Sequence, residues 1–316
     1  MRALQVIAPG RCEVVDVPPP EPEATQVLIR VRASAICTQH ELKIFHGRYA
    51  PDMWKIDYPC EPGFPGHEGA GEIIALGREV DGLSIGQLVA FTGIGGSGTH
   101  AEIIVRDAGA VVPLPENADL VAAALCEPAA CVLHAFDLAG PLAGRDVAVV
   151  GLGPTGLVAV QLARLAGASS VLGLDPVPAR RELAEKLGAD RVLDPTAPGA
   201  ASGLDLAADV VIECSGNAHS IEQSFRIARH LVVIFGVTSE PIQVNQAVWF
   251  HRELEIRNAK ILGPDPMATF RRAVDLFTAG ELDLACLVSH CLPLESYRDA
   301  LSMLADRQAL KVVLLP

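Results

Sequence analysis

One stretch, Val147-Ala-Val-Val-Gly151-Leu-Gly153-Pro154-Thr155-Gly156-Leu157, limits the folds open to this chain more than any other. It predicts an apolar strand, a Gly-x-Gly-x-x-Gly turn and a helix, followed by a second strand, Leu172-Gly-Leu-Asp175, that ends in an acid. The glycines have separate physical tasks: one makes a tight turn, one lets backbone approach a pyrophosphate, and one lets helix pack on strand. The helix N-terminus then offers free N–H groups and a positive dipole end to phosphates. Asp175 lies 19 residues past Gly156, close to the spacing of about 20 for the acid that accepts from an adenosine ribose 2′-OH. A carboxylate there repels a 2′-phosphate, so the pattern predicts NAD rather than NADP. A Gly-rich turn in some other α/β protein would share the glycines but has no use for an acid in that register.

Composition narrows the class. Half of the 316 residues are hydrophobic and only 20% are charged, which suits a well-buried core and excludes a disordered chain. The length suggests about two domains. A net charge of −13 with no basic run argues against nucleic acid and anionic membranes as partners. The N-terminus, Met1-Arg-Ala-Leu-Gln-Val-Ile-Ala, has no signal-peptide pattern, and no apolar run is long enough to span a bilayer. Eight cysteines are scattered without a Cys-x-x-Cys pair, which points to reduced thiols rather than a disulfide framework. These features predict a cytoplasmic protein.

Residues 1 to about 115 are dense in Pro and Gly, with short β-branched runs at Val27–Arg32, Gly71–Leu76, Gln87–Phe91 and Ala101–Val105. Such runs between turn signals predict a β-rich, partly barrel-like domain. The texture then turns Ala/Leu-rich from about residue 119, and strands and helices alternate. Strands are expected at 146–150, 170–174, 209–213, 231–235 and 254–258, and helices at 154–166, 177–187, 218–229 and 268–279. Uniformly apolar strands at this spacing predict a doubly wound parallel sheet covered on both faces, a Rossmann α/β fold. A last segment, with two amphipathic helices and the strand Lys311-Val-Val-Leu-Leu, is expected to return to the first domain. The predicted division is a catalytic domain over 1–128, a dinucleotide-binding domain over 129–262 and a catalytic return over 263–316.

A second constellation sits in the β-rich part: Ala35-Ile-Cys37, Pro65-Gly-His67-Glu68-Gly-Ala-Gly71 and, further on, Cys126-Glu127-Pro128. One thiol, one imidazole and one or two carboxylates suit a zinc ion that keeps a position open for substrate. Thiolate plus one carboxylate would neutralise the dication. Taken singly, Cys37 is equally readable as a core thiol, His67 as a turn residue with Glu68 as its solvated partner, and Glu127 as a helix first-turn acid. Spacing alone does not join them, because they lie up to 90 residues apart.

The ordered set resembles the zinc-dependent alcohol and polyol dehydrogenases of the medium-chain dehydrogenase/reductase superfamily. The matching elements are Ile36-Cys37, Pro65-Gly-His67-Glu68-Gly-Ala-Gly71-Glu, Gly98-Thr-His-Ala-Glu and Cys126-Glu127-Pro128-x-x-Cys131-Val-Leu-His134. Gly151-Leu-Gly-Pro-Thr-Gly156, Glu213-Cys-Ser-Gly216 and the ending Ala309-Leu-Lys311-Val-Val-Leu match as well. The resemblance implies that Cys37 and His67 are zinc ligands. Glu68 and Glu127 match the carboxylates that ligate zinc directly or through water. It further implies reversible hydride transfer between NAD and a secondary alcohol, polyol or sugar hydroxyl, in a homodimer or homotetramer. Ser215 is expected at the adenosine ribose or pyrophosphate, and Phe235, Gly236, Val237 and Leu262 at the nicotinamide. Arg180 is readable either as a partner of the ribose end or as a solvated helix charge. Phe45, Tyr49, Trp54, Phe91 and Trp249 are candidate cleft aromatics.

Two departures from the family pattern stand out. The four-cysteine structural-zinc lobe would follow Phe91, but Thr92-Gly-Ile-Gly-Gly-Ser-Gly runs straight into Thr99, so one catalytic zinc and no structural zinc is expected. After the first ligand, the usual Cys-Gly-Thr/Ser-Asp-x-His is replaced by Cys37-Thr-Gln39-His40-Glu41-Leu-Lys43. If the register resumes at His40, that residue replaces the hydroxyl that starts the proton relay, Glu41 replaces the bracing acid and Lys43 the relay histidine. His40 is then a candidate proton acceptor or an additional ligand, with a surface turn as its plain alternative, and Gln39 can order a water for the proton's exit. A zinc-free quinone or enone reductase and a non-catalytic cofactor-binding protein are the competing readings.

Overall fold

The computed structural model describes residues 1–48, 56–200, 204, 207–260 and 263–316. Leu262, Tyr49 and Trp54 lie outside them. The chain divides into two compact units, one of Met1–Pro128 with Phe270–Pro316, the other of Ala129–Thr269.

The first unit opens with β1 (Arg2–Ala8), β2 (Arg11–Asp16), β3 (Gln26–Ala35), α1 (Thr38–Phe45), β4 (Glu68–Leu76), β5 (Leu88–Thr92), β6 (Ile103–Asp107), β7 (Val111–Pro113) and α2 (Leu120–Ala123). Helix α3 (Cys126–Ala139) carries the chain into the second unit. There β8 (Asp146–Val150), α4 (Pro154–Leu165), β9 (Ser170–Leu174), α5 (Pro178–Lys186) and β10 (Arg191–Leu193) come first. They are followed by β11 (Ala208–Glu213), α6 (Ala218–Ile227), β12 (Ala228–Ile234), α7 (Gln246–Phe250) and β13 (Glu255–Asn258). Helix α8 (Pro266–Thr278) leads back to the first unit, which ends with β14 (His290–Pro293), α9 (Tyr297–Ala305) and β15 (Val312–Leu315).

The first unit is built on the sheet β14-β15-β3-β4-β5-β7, with β6 also paired to β3 and the hairpin β1-β2 beside it. Along β3, Val27, Ile29, Val31 and Ala33 are buried while Arg30 and Arg32 are exposed, the period of two that a half-buried strand requires. The alternation stops at Ala33-Ser34-Ala35, all buried, because the C-terminal strand arrives there. Val313 pairs with Ala35 and Leu314 with Ser34, and the Ile36 N–H donates to the Val312 carbonyl at 3.0 Å. On the other side of β3, Ala35 pairs with Glu68 at the start of β4. The register therefore brings the end of β3, the start of β4 and the start of β15 to one place.

The second unit has six parallel strands in the order β10-β9-β8-β11-β12-β13. Its inner strands are buried nearly throughout, Val147 to Val150 and Val171 to Leu174 among them, as both-face coverage by helices requires, while the edge strands β10 and β13 have no buried residue. The order reverses between β8 and β11, and in such sheets ligands bind outside the carboxyl ends of the strands at that switch point. The predicted doubly wound fold with a separate β-rich domain is the fold found.

Candidate functional site

Cys37 follows the end of β3 by two residues, and His67 and Glu68 lie at the start of β4. One ligand atom from each of the three lies within 4.8 Å of those of the other two. His67 Nδ1 is 3.0 Å from the Pro65 carbonyl oxygen. A carbonyl only accepts, so Nδ1 carries the proton of the neutral ring and Nε2 keeps its lone pair for a metal. Burial pulls the His67 imidazole down, but its hydrogen bond to Cys37 and then the charges of Cys37, Glu127 and Glu68 hold it well above its usual value. Those same charges make the position attractive to any cation. Glu68 is 1% exposed and so is no solvated partner. Its Oε1 stands 3.9 Å from His67 Nε2, and its Oε2 forms an ion pair with Lys311 Nζ at 2.6 Å. Glu127, in the first turn of α3, is buried and close enough to act on His67 electrostatically, but it is outside the group of three.

A buried polar network supports this group. Glu41 in α1 is fully buried; its Oε1 accepts the Cys37 backbone N–H at 2.8 Å and its Oε2 lies 2.9 Å from His100 Nε2. His100 Nδ1 is 2.8 Å from Ser34 Oγ, which is 2.7 Å from Thr99 Oγ1. Burial raises the Glu41 carboxyl, but the charge of His100 and its hydrogen bond bring it below its usual value. Glu41 thus holds the Cys37 backbone directly. The His40 ring stands edge-on to His67, with centroids 5.0 Å apart. Burial first, then the neighbouring His67, lowers the His40 imidazole to about 4. Gln39 is exposed.

In the second unit the Gly-rich turn joins β8 to α4, with Gly153 as the N-cap, Pro154 in the first helical turn and no side-chain cap. Gly151 has φ +87°. A Cβ on Gly156 would lie 1.8 Å from the Gly151 carbonyl oxygen, so only glycine permits that helix–turn contact. Asp175 closes β9 and ties the turn down: its Oδ2 accepts the Leu152 N–H and its Oδ1 the Val177 N–H, both at 2.8 Å. Arg180 Nη1 is 3.7 Å from Asp175 Oδ2, which places it beside the acid rather than out in solvent. Ser215 follows β11, while Phe235, Gly236 and Val237 follow β12 and line a cavity of about 300 Å³.

Residues 154–279 match the zinc-binding dehydrogenase family, and residues 23–116 match the alcohol dehydrogenase GroES-like domain. A candidate zinc-binding dehydrogenase from Sinorhizobium meliloti 1021, crystallised with NADP, is 30% identical with a TM-score of 0.89 and covers 100% of this chain and 99% of its own. The chain belongs to the zinc-binding dehydrogenases. This dehydrogenase is also 29% identical to an L-threonine 3-dehydrogenase from Symbiobacterium thermophilum, covering 100% of this chain and 98% of the relative. The fold recurs in galactitol-1-phosphate dehydrogenase from Escherichia coli, with a TM-score of 0.86 at 24% identity over 100% of both chains. The superfamily resemblance drawn from the motifs is therefore correct, and the enzyme is an oxidoreductase of the alcohol dehydrogenase type.

Sequence reasoning gave no role to Lys311, His100, Ser34 or Thr99 of this dehydrogenase. Lys311 had a readable signal, since it is the one cation opening an otherwise apolar terminal strand. Thr99 and His100 lie in the matching element Gly98-Thr-His-Ala-Glu, which marks the place but not their partners, and Ser34 carries no signal.

Proposed function

We propose that this dehydrogenase interconverts a secondary alcohol, polyol or sugar hydroxyl and its carbonyl by hydride transfer with NAD(H), at one zinc per chain. The carrying observation is the convergence of Cys37, His67 and Glu68. Their donors fit zinc: a sulfur, an imidazole with Nε2 left open, and a carboxylate, with room in a four-coordinate site for one more ligand or substrate. Cys37, His67 and Glu68 would hold the metal, and Glu127 is the candidate further donor. Bound zinc supplies Lewis-acid polarisation of the substrate oxygen, and the nicotinamide supplies the hydride acceptor. His40, its ring edge-on to His67, is the first acceptor of the hydroxyl proton, and with its imidazole lowered to about 4 it hands that proton straight on to water, which Gln39 can order. Glu41 and His100 keep the Cys37 loop from shifting as that proton leaves.

For the cofactor, the Gly151–Gly156 turn and α4 receive the pyrophosphate, Ser215 lies toward the adenosine half, and Phe235, Gly236 and Val237 toward the nicotinamide. Asp175 supports NAD: each carboxylate oxygen keeps a lone pair for a ribose hydroxyl after accepting its backbone N–H, and its charge opposes a 2′-phosphate. Arg180 would steady that acid. The short, cysteine-free connection from Gly93 to Gly98 supports the absence of a structural zinc. The relatives named L-threonine 3-dehydrogenase make L-threonine the first substrate to assay. The reading includes a cytoplasmic homodimer or homotetramer. Among the described residues no helix is long and apolar enough to cross a membrane. A zinc-free reductase, or a binder without turnover, would leave the donor group of Cys37, His67 and Glu68 without a purpose.

Metal content of protein purified without added metal tests the reading. One zinc per chain, lost together with activity in Cys37→Ser, is the expected result. Two zincs would contradict the missing lobe, and none, with NADH still bound, would overturn the metal reading.

A further inference from the structure

At the carboxyl end of β11, next to the switch point of the parallel sheet, the last strand residue is a fully buried glutamate, Glu213. A carboxylate is an expensive group to bury, and among the described residues no cation pairs with it. Its partners are backbone instead. Oε1 accepts the Ser215 N–H at 2.8 Å and the Ser215 hydroxyl, and the Gly216 N–H is shared between Oε1 at 3.2 Å and Oε2 at 3.4 Å. The Ser215 Oγ in turn accepts the Asn217 N–H at 3.1 Å, leading the chain into α6. Meanwhile the Glu213 backbone carbonyl accepts the N–H groups of Phe235 and Gly236, at 2.9 and 3.0 Å, in the turn after β12.

Two glycines show how tightly these turns are fitted. A Cβ on Gly236 would stand 2.1 Å from the Gly216 nitrogen and 2.5 Å from Glu213 Oε2. One on Gly151 would stand 2.7 Å from Ser215 Cβ. The turns after β8, β11 and β12, which are neighbours in the sheet, are therefore packed against one another with Glu213 at the centre. All three carry residues that the proposed function assigns to the cofactor, while Glu213 itself is sealed away from any ligand.

We propose that Glu213 is a positioning residue for the dinucleotide: its side chain holds the Ser215–Gly216 turn against Gly236 and Gly151, so that three loops present a preformed backbone surface to the cofactor. The inference rests on the reading of this crevice as the NAD site. The energetics favour it over a purely stabilising role. Burial raises the Glu213 carboxyl, and hydrogen bonds from Ser215, Gly216 and Gly236 do not bring it back to its usual value. Burying an acid costs the fold free energy, and its hydrogen bonds offset that cost only in part. What it contributes is geometry, because an acceptor with two oxygens can gather several convergent N–H donors that an apolar side chain would leave unpaired. Preorganised loops bind without having to be ordered at the moment of binding.

The test is NADH affinity, read by nicotinamide fluorescence, in the wild-type protein, Glu213→Gln and Glu213→Asp. The glutamine keeps the size but turns one acceptor into an N–H donor that opposes Gly216. NADH binding weakened by about ten-fold or more, the size of effect seen when a charged hydrogen-bonding group is lost, with melting temperature and kcat at saturating NAD held, supports the proposal. The KM for NAD should rise while the KM for the alcohol does not. Unchanged NADH affinity in Glu213→Gln overturns it. If that variant does not fold, Glu213→Asp decides: it keeps the charge but draws the oxygens back from the Ser215 and Gly216 N–H groups, so weaker NADH binding supports the proposal and unchanged binding overturns it. A wild-type protein that binds neither NADH nor NADPH overturns the cofactor reading itself, and this inference with it.

Discussion

The ion pair between Glu68 and Lys311 decides how the donor group behaves at the scale of single residues. Both side chains are almost completely buried, at 1% and 4% exposure. Burial alone would strip the lysine of its proton, but Glu68, then Cys37, hold its ammonium above its usual value. The cation is thus an internal counter-charge to a site rich in anionic donors. Removing it leaves Glu68 buried and unpaired, a loss of about 3–5 kcal/mol in comparable cases. Lys311→Met should therefore destabilise the metal-free protein by that order, measured by urea denaturation. The penalty should shrink when zinc is loaded, because the metal replaces the missing charge. Adding Glu68→Gln to Lys311→Met should restore most of the metal-free stability. A double variant no more stable than the single one would show that the lysine acts through its packing and not through its charge.

At the scale of elements, the β8–α4 junction is the most tightly constrained piece of the chain. Helix α4 reaches the sheet only because Gly156 has no side chain, its would-be Cβ lying 1.8 Å from the Gly151 carbonyl oxygen. Gly156→Ala must push the helix away from the turn, at a cost of about 1–3 kcal/mol for an overpacked contact. It should weaken NADH binding as well as thermal stability, because the displaced N-terminus is where the pyrophosphate is expected. Stability lost with NADH affinity intact would remove that helix end from the site. This junction was legible in the sequence because all of its determinants are local. Other elements were not. The helix expected over 218–229 ends at Ile227, and β12 starts at Ala228. Arg252 Nη1 donates to the carbonyls of Phe225, Arg226 and Ala228 there, at 3.0 to 3.3 Å, a helix stop written more than 20 residues downstream. The three-residue edge strand β10 was missed for want of length to show a pattern. In the candidate metal group, motif order named Cys37, His67 and Glu68, together with Glu127, which lies outside the group of three. The pairing of β3 with both β4 and β15, which brings Lys311 to Glu68, is long-range and leaves no local trace.

At the scale of the whole molecule, the two chemistries draw on different parts of the chain. Cys37, His67, Glu68 and Lys311 all belong to the unit of Met1–Pro128 with Phe270–Pro316, whereas the Gly-rich turn, Asp175, Ser215 and Gly236 all belong to Ala129–Thr269. A metal that binds the native state alone stabilises it by mass action, by about 4 kcal/mol at a thousand times its dissociation constant. That stabilisation should reach the unit that supplies the ligands, where β3, β4 and β15 meet. Stripping zinc with a chelator should therefore abolish alcohol oxidation and lower the melting temperature of the first unit. NADH fluorescence titrations should change little, since no cofactor residue of the second unit is a proposed metal ligand. Hydrogen exchange resolved by segment provides the check, with faster exchange expected around Cys37 and the start of β4 and unchanged exchange in β8 and α4. Loss of NADH binding in step with zinc, and loosened β8 and α4, would mean that the metal organises both units. The division of labour argued from the chain would then be wrong.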